Sequence, residues 1–297
     1  TKDTLHLYLQ IIGKVRLEMM PRQNHWWHVP LYVSPRGFTT RSVPDRPGTG
    51  RLFEVELDVL DPAVRVTTTQ GSERRFGVSD GLTVAAFYDN VLGALTDLGI
   101  EVEIRAEPYG HPSSTTPFAA DVVHASFDAA AVERFWRILA TVQPVFLRFD
   151  GRFTGKRSPV HLFWHSLDLA YTRFSGRTAP PPDASAGAVA RDAYSHEVIS
   201  FGFWAGDASL PEPAFYAYAY PEPDGLRAAS LSPAGARWVT QETGSLAVFP
   251  YAAMRRADSP AAALRTFLES AYRACADAAG WDRERLRATY AEEARAE

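Results

Sequence analysis

Histidine changes charge near neutral pH and is the commonest neutral metal ligand, so its placement shows where this chain could do chemistry. Five of the eight histidines fall in three short stretches: His25 and His28 in NHWWHVPLYV (24–33), His161 and His165 in SPVHLFWHS (158–166), and His196 beside Glu197 in YSHEVIS (194–200). Side chains alternate along an extended segment, so His28 shares a face with Trp26 and Tyr32, and His165 with His161 and Phe163. Two imidazoles and one carboxylate can hold Fe(II), Mn(II) or Zn(II). The expected ligands are His28, His161, His165 and Glu197. Glu197 falls on the apolar face of Ile199, Phe201 and Phe203, where a carboxylate is costly unless protonated, paired or metal-bound. With His196 and Asp168 it is the expected acid–base group. Trp27, Trp164, Tyr32 and Tyr218 are expected to wall the cavity and hold the ligand. A structural reading competes: the histidines bond to backbone inside an aromatic core, and Glu197 pairs with Arg173 or Arg191 at a strand end.

Other chemistries lack their usual supports. GxSxG, P-loop and GxGxxG patterns are absent, so no nucleotide cofactor is expected. SHEVIS has a His-Glu pair but not the second histidine of a metalloprotease helix. The 297-residue chain carries a net charge of −4, against a nucleic-acid surface, which needs a basic excess. One local exception, Arg148, Arg152, Lys156 and Arg157, reads as a helix end with its loop or as an anion-binding patch. The one cysteine, Cys275, sits at an apolar helical position and reads as a packed thiol. No window reaches the ~18 apolar residues of a membrane span, and no signal-peptide pattern is present. The expectation is a cytoplasmic protein acting on a small molecule, its oligomeric state open.

The elements that must position these groups alternate. Apolar residues at helical spacing predict helices over 3–20, 83–98 (stopping at Gly99), 130–150 (kinked or split at Pro144) and from Ser259-Pro260 onward. Strands are expected at 26–34, 51–60, 63–69, over EVEIRAEP, and at 160–172, 194–204, 213–220 and 245–250. In FEVELDVL, Phe53, Val55, Leu57 and Val59 point inward, and Glu54, Glu56 and Asp58 outward. The order repeats, and Trp27-His28 aligns with Trp164-His165. The expected fold is therefore α+β: two related halves, 1–107 and 128–297, joined by a linker over 108–127. Each half is an antiparallel meander with flanking helices, packed with pseudo-twofold symmetry.

NHWWHVPLYV, SPVHLFW, RFSGR and YSHEVIS together resemble an uncharacterised bacterial domain family whose members run nearly the whole length of this chain. The resemblance implies no activity. From the residues, the expected function is a small-molecule enzyme with a His/Glu site in an aromatic-lined cavity between the halves. It would depend on one divalent metal, with oxygenase, lyase and hydrolase chemistry all open. The alternative is a non-catalytic small-ligand-binding protein using the same cavity.

Overall fold

From Thr4 to Arg16 every residue of the first helix, α1 (Lys2–Met19), is buried. The computed structural model describes residues 1–46, 48, 50–182, 185–207, 210–241 and 244–289. Two compact units divide the chain: Thr1–Ala140 with His161–Leu167, and Thr141–Val160 with Asp168–Glu297. The fold is α+β, with six helices and two antiparallel sheets of six strands each among the described residues. No described helix is long and apolar enough to cross a membrane.

The first unit is a meander laid against α1. Its strands are β1 (Tyr32–Val33), β2 (Gly37–Thr39), β3 (Val43–Pro44), β4 (Leu52–Asp58), β5 (Ala63–Thr68) and β6 (Glu73–Gly77), in the order β1-β2-β4-β5-β6 with β3 also on β4. Phe53, Val55 and Leu57 alternate inward as their period of two demands. Asp58 differs from the outward position expected. It is fully buried because it closes the β4–β5 turn, accepting the N–H groups of Leu60 and Asp61, both at 3.0 Å. Helix α2 (Val84–Asp97) starts where Thr83 Oγ1 accepts the Ala86 N–H. It buries Val84, Phe87, Val91 and Leu95 and ends before Gly99, whose φ is 69°. Tyr8 of α1 stacks on Phe87 at 3.9 Å.

Helix α3 (Ala129–Asp150) carries Pro144 inside an unbroken assignment, and the boundary between the units falls within it. After β7 (His161–Phe163), the second unit runs through β8 (Asp168–Thr178), α4 (Ala188–Ala193), β9 (His196–Trp204), β10 (Ala214–Tyr220), β11 (Arg237–Gln241), β12 (Gly244–Pro250), α5 (Tyr251–Arg256) and α6 (Pro260–Ala278). Its strands lie in the order β11-β12-β10-β9-β8. Leu264, Phe267, Leu268, Ala271 and Cys275 form the buried stripe of α6. Burial pushes the Cys275 thiol up to about 12, which makes it the inert packed thiol expected.

Three sequence expectations change. EVEIRAEP forms no strand. Ile104 is buried, but alternation alone makes no sheet without a neighbouring edge to bond. Residues 108–127 are no bare linker, since His111, Phe118, Asp121 and Phe127 are buried within the first unit. The Trp-His pairs do not open equivalent strands of two halves. Asn24–Trp26 is a 3₁₀ turn, with left-handed φ values of 55° at His25 and 60° at Trp26. Trp27-His28 and Trp164-His165 both sit in turns, and both belong to the first unit. They pack together instead: the Trp164 indole N–H donates to the Val29 carbonyl at 3.0 Å. Gly13 makes room for that ring, since a Cβ there would stand 2.1 Å from Trp164.

Candidate functional site

A helix buried over its middle three turns must still satisfy its polar side chains, because an unpartnered buried group costs free energy. Along α1 this is met unevenly. Gln10 Nε2 donates to the Tyr109 carbonyl (3.1 Å) and its Oε1 accepts the Tyr109 N–H (2.8 Å). His6 Nε2 lies 3.1 Å from the His165 carbonyl oxygen. Arg16 is different. It is 4 % exposed, its Nη1 donates to the Thr40 carbonyl at 2.5 Å, and its Nε has no partner. It makes no ion pair with a described carboxylate.

A second cation stands beside it. Arg41 has a left-handed φ of 53°, in a corner where its N–H donates to Thr39 Oγ1 (2.7 Å) and Thr40 Oγ1 accepts the Val55 N–H (2.9 Å). Its guanidinium lies 3.6 Å over the Tyr32 ring, with that of Arg16 at 5.4 Å from the same ring. Arg41 likewise makes no ion pair with a described carboxylate. Reciprocal backbone hydrogen bonds between Leu31 and Leu162 (2.9 and 2.8 Å) bring β1 beside β7. Tyr32 therefore meets His161 edge-on at 6.3 Å. His161 is 1 % exposed and its Nδ1 has no partner. Burial, helped by the positive charges of Arg16 and Arg41, pushes its pKa down to about 3. Two guanidinium groups, a neutral imidazole and an aromatic face can hold a carboxylate or phosphate. The same charges repel a metal cation.

A histidine group outside the expected set lies on another face of α1. His6 and His111 have ring centroids 4.6 Å apart, His124 stands 6.2 Å from His111, and His124 Nδ1 lies 2.8 Å from Asp121 Oδ2. Burial, then the neighbouring His111, lowers His6 to about 4. His111 is also lowered, chiefly by burial, and its Nε2 has no partner.

The expected site residues divide between the units. Tyr32 and His161 meet in the arginine cluster. His28 Nδ1 accepts the Gln23 N–H at 3.3 Å and its ring stacks on Trp26 at 5.4 Å. Trp27 lies against His25 at 5.2 Å. His165 meets Tyr109 and Trp164 edge-on, at 5.9 and 6.0 Å. In the second unit Glu197 is paired to Arg177 (2.7 Å) and accepts the Trp281 indole N–H (3.1 Å). Its structural partner is thus Arg177, and neither Arg173 nor Arg191. Asp168 accepts the Tyr216 hydroxyl, Tyr218 and Tyr194 share a hydroxyl contact at 3.1 Å, and His196 Nδ1 lies 3.0 Å from Ser195 Oγ. Among the described residues no three His, Cys, Asp or Glu side chains are placed to hold a metal ion. His28, His161 and His165, all in the first unit, are therefore not brought together as ligands.

Arg16 and Arg41 were missed by sequence reasoning. One signal was present: Arg16 falls in phase with Leu5, Leu9, Ile12 and Met19, a charge on an apolar stripe. Arg41 had no signal, because its position follows from a turn conformation.

The model of a family of unknown function (DUF5996) matches residues 1–288. No curated protein and no solved structure matches the chain.

Proposed function

The chain belongs to that family of unknown function, so the reading rests on its own residues: we propose that it binds a small molecule through a carboxylate or phosphate group held by Arg16, Arg41 and His161. The supporting observation is Arg16, buried without a carboxylate partner and with its Nε uncommitted. A charge buried without its counter-ion costs several kcal/mol, and an incoming anion removes that cost. Guanidinium forks match both carboxylate and phosphate oxygens. His161, held neutral, offers Nδ1 as a further hydrogen-bonding atom without adding charge repulsion between cations.

Thermal unfolding with a panel of mono- and dicarboxylates and phosphate monoesters tests this. A bound anion at one hundred times its Kd stabilises by about 2.7 kcal/mol, and Arg16→Met should lose the shift. No shift with any probe, or an equal shift in Arg16→Met, overturns the reading.

Turnover of a bound molecule, with or without a divalent metal, is a second reading. The His6–His111 pair favours it: both imidazoles are neutral at pH 7, and because His111 Nδ1 accepts the Ser113 N–H, its unpartnered Nε2 carries the proton and can donate it. Its check is mass-spectrometric detection of product from wild type beside His111→Gln, with elemental analysis of both.

A further inference from the structure

The second unit contains a concavity that the anion site does not use, a cavity of about 860 Å³ formed by the end of α3, by α6 and by residues 283–288. Seven arginines line it against two glutamates, in a chain whose net charge is −4. Two of the arginines are spent: Arg152 pairs with Glu269 at 2.7 Å, and Arg283 with Asp277. Arg148, Arg265 and Arg273 are exposed and make no ion pair with a described carboxylate.

The floor carries two further observations. Arg173 is 2 % exposed, with its guanidinium 3.6 Å over Phe149 and 4.4 Å over Tyr272. It donates to the Phe149 carbonyl and, at 3.3 Å, to the Tyr171 hydroxyl. It has no ion pair among the described residues. The Tyr272 hydroxyl is buried with no hydrogen-bond partner. A buried cation, an uncommitted hydroxyl and three uncommitted guanidinium groups thus surround one hollow. Like charges gathered on a concave, low-dielectric wall focus their potential and draw in anions.

We propose that this cavity binds a small polyanion carrying several phosphate groups, of the nucleoside-polyphosphate or inorganic polyphosphate class. Guanidinium forks take phosphate oxygens in pairs. Phe149, Tyr272 and Leu286 offer apolar surface to a ring, and the volume lies within the ~300–1,000 Å³ of small-molecule sites. The chain carries neither a P-loop nor a GxGxxG pattern, and the donors lining this cavity are side chains.

Isothermal titration with tripolyphosphate and with ATP, at about 50 and about 200 mM salt, tests the proposal. Wild type should bind both, more weakly at the higher salt. The triple variant Arg148→Ala, Arg265→Ala, Arg273→Ala alters only exposed side chains and should fold, as circular dichroism would verify. It should lose at least about tenfold in affinity, or about 1.4 kcal/mol. Arg16→Met should keep the binding that the triple variant loses, which separates this cavity from the anion site of the first unit. The proposal is overturned if wild type binds neither probe, if the triple variant binds equally well, or if a single-stranded oligonucleotide binds more tightly than tripolyphosphate.

Discussion

Two buried charges in the first unit, Asp58 and Arg16, have opposite surroundings. Asp58 accepts two backbone N–H groups at 3.0 Å and Arg36 Nε at 2.6 Å, with Arg65 Nε at 3.5 Å. Burial alone would raise its pKa. The hydrogen bonds from Asp61, Arg36 and Leu60 outweigh burial and hold the carboxyl below its usual value. Arg16 has one backbone carbonyl, the Tyr32 side chain, an uncommitted Nε and a second guanidinium nearby. Both are buried, so burial does not separate a structural charge from a binding one. Completeness of partners does: Asp58 has its counter-charge in the fold, and Arg16 has none among the described residues.

The largest effect that sharpens this contrast is acidification. His161 has a folded pKa of about 3 against 6.5 for the unfolded chain, so the unfolded state binds the proton first. Its contribution is complete above pH 6.5 and is lost as pH falls toward about 3, on the order of 5 kcal/mol over the whole window. His6 acts in the same direction between 6.5 and about 4. Urea unfolding of wild type and His161→Gln, repeated from pH 7 to pH 4.5, should show the variant taking up close to one proton fewer on unfolding. Equal pH slopes would remove His161 from the cationic corner.

Next in size is Asp58→Ala. It leaves two buried N–H groups and a guanidinium without their acceptor and should cost about 3 kcal/mol. Urea midpoints measure this, and a loss below about 1 kcal/mol would deny that Asp58 is the satisfied partner in the comparison. Arg16→Met should do the reverse. Without ligand, replacing an uncompensated buried cation by an apolar chain of similar length should be neutral or raise stability by about 1–2 kcal/mol. A clear loss in calorimetry would make Arg16 structural, as Asp58 is. The smallest effect belongs to Arg41→Gly. Relief of the left-handed φ of 53° offsets the entropy glycine adds to the unfolded chain, so stability should change by less than about 1 kcal/mol. Anion affinity by titration should nonetheless fall, and unchanged affinity would leave Arg16 and His161 as the whole site.

Much of the fold was legible in the sequence where one periodicity ran long enough. The stripes of α1, α2 and α6, the alternation of β4 and the strand β5 are all present. The short strands β2 and β3 were hidden, and of the strand expected at 26–34 only β1 forms, because two or three residues carry no period and form only when a neighbour supplies the ladder. The proposed repeat misled for a related reason. Trp-His followed by apolar residues looks alike at 27–28 and 164–165, but those residues lie in turns of one unit. Of the candidate site, Tyr32 and His161 were read from their aromatic surroundings. Glu197 was singled out for its apolar neighbours, and Arg177 and Trp281 neutralise that argument.

By itself the sequence determined which faces of which segments are apolar, because that depends only on residue type and on the backbone's own period. It also determined the class, α+β, and the absence of any long apolar helix. Tertiary structure alone decided which charges lack partners. Arg16, Tyr32, Arg41 and His161 come from a helix, a two-residue strand, a left-handed turn and a strand more than a hundred residues away. His161 joins the other three because Leu31 and Leu162 pair across that gap. Whether a buried charge is satisfied depends on the few ångströms around it, and those neighbours are set by packing, whatever their distance along the chain.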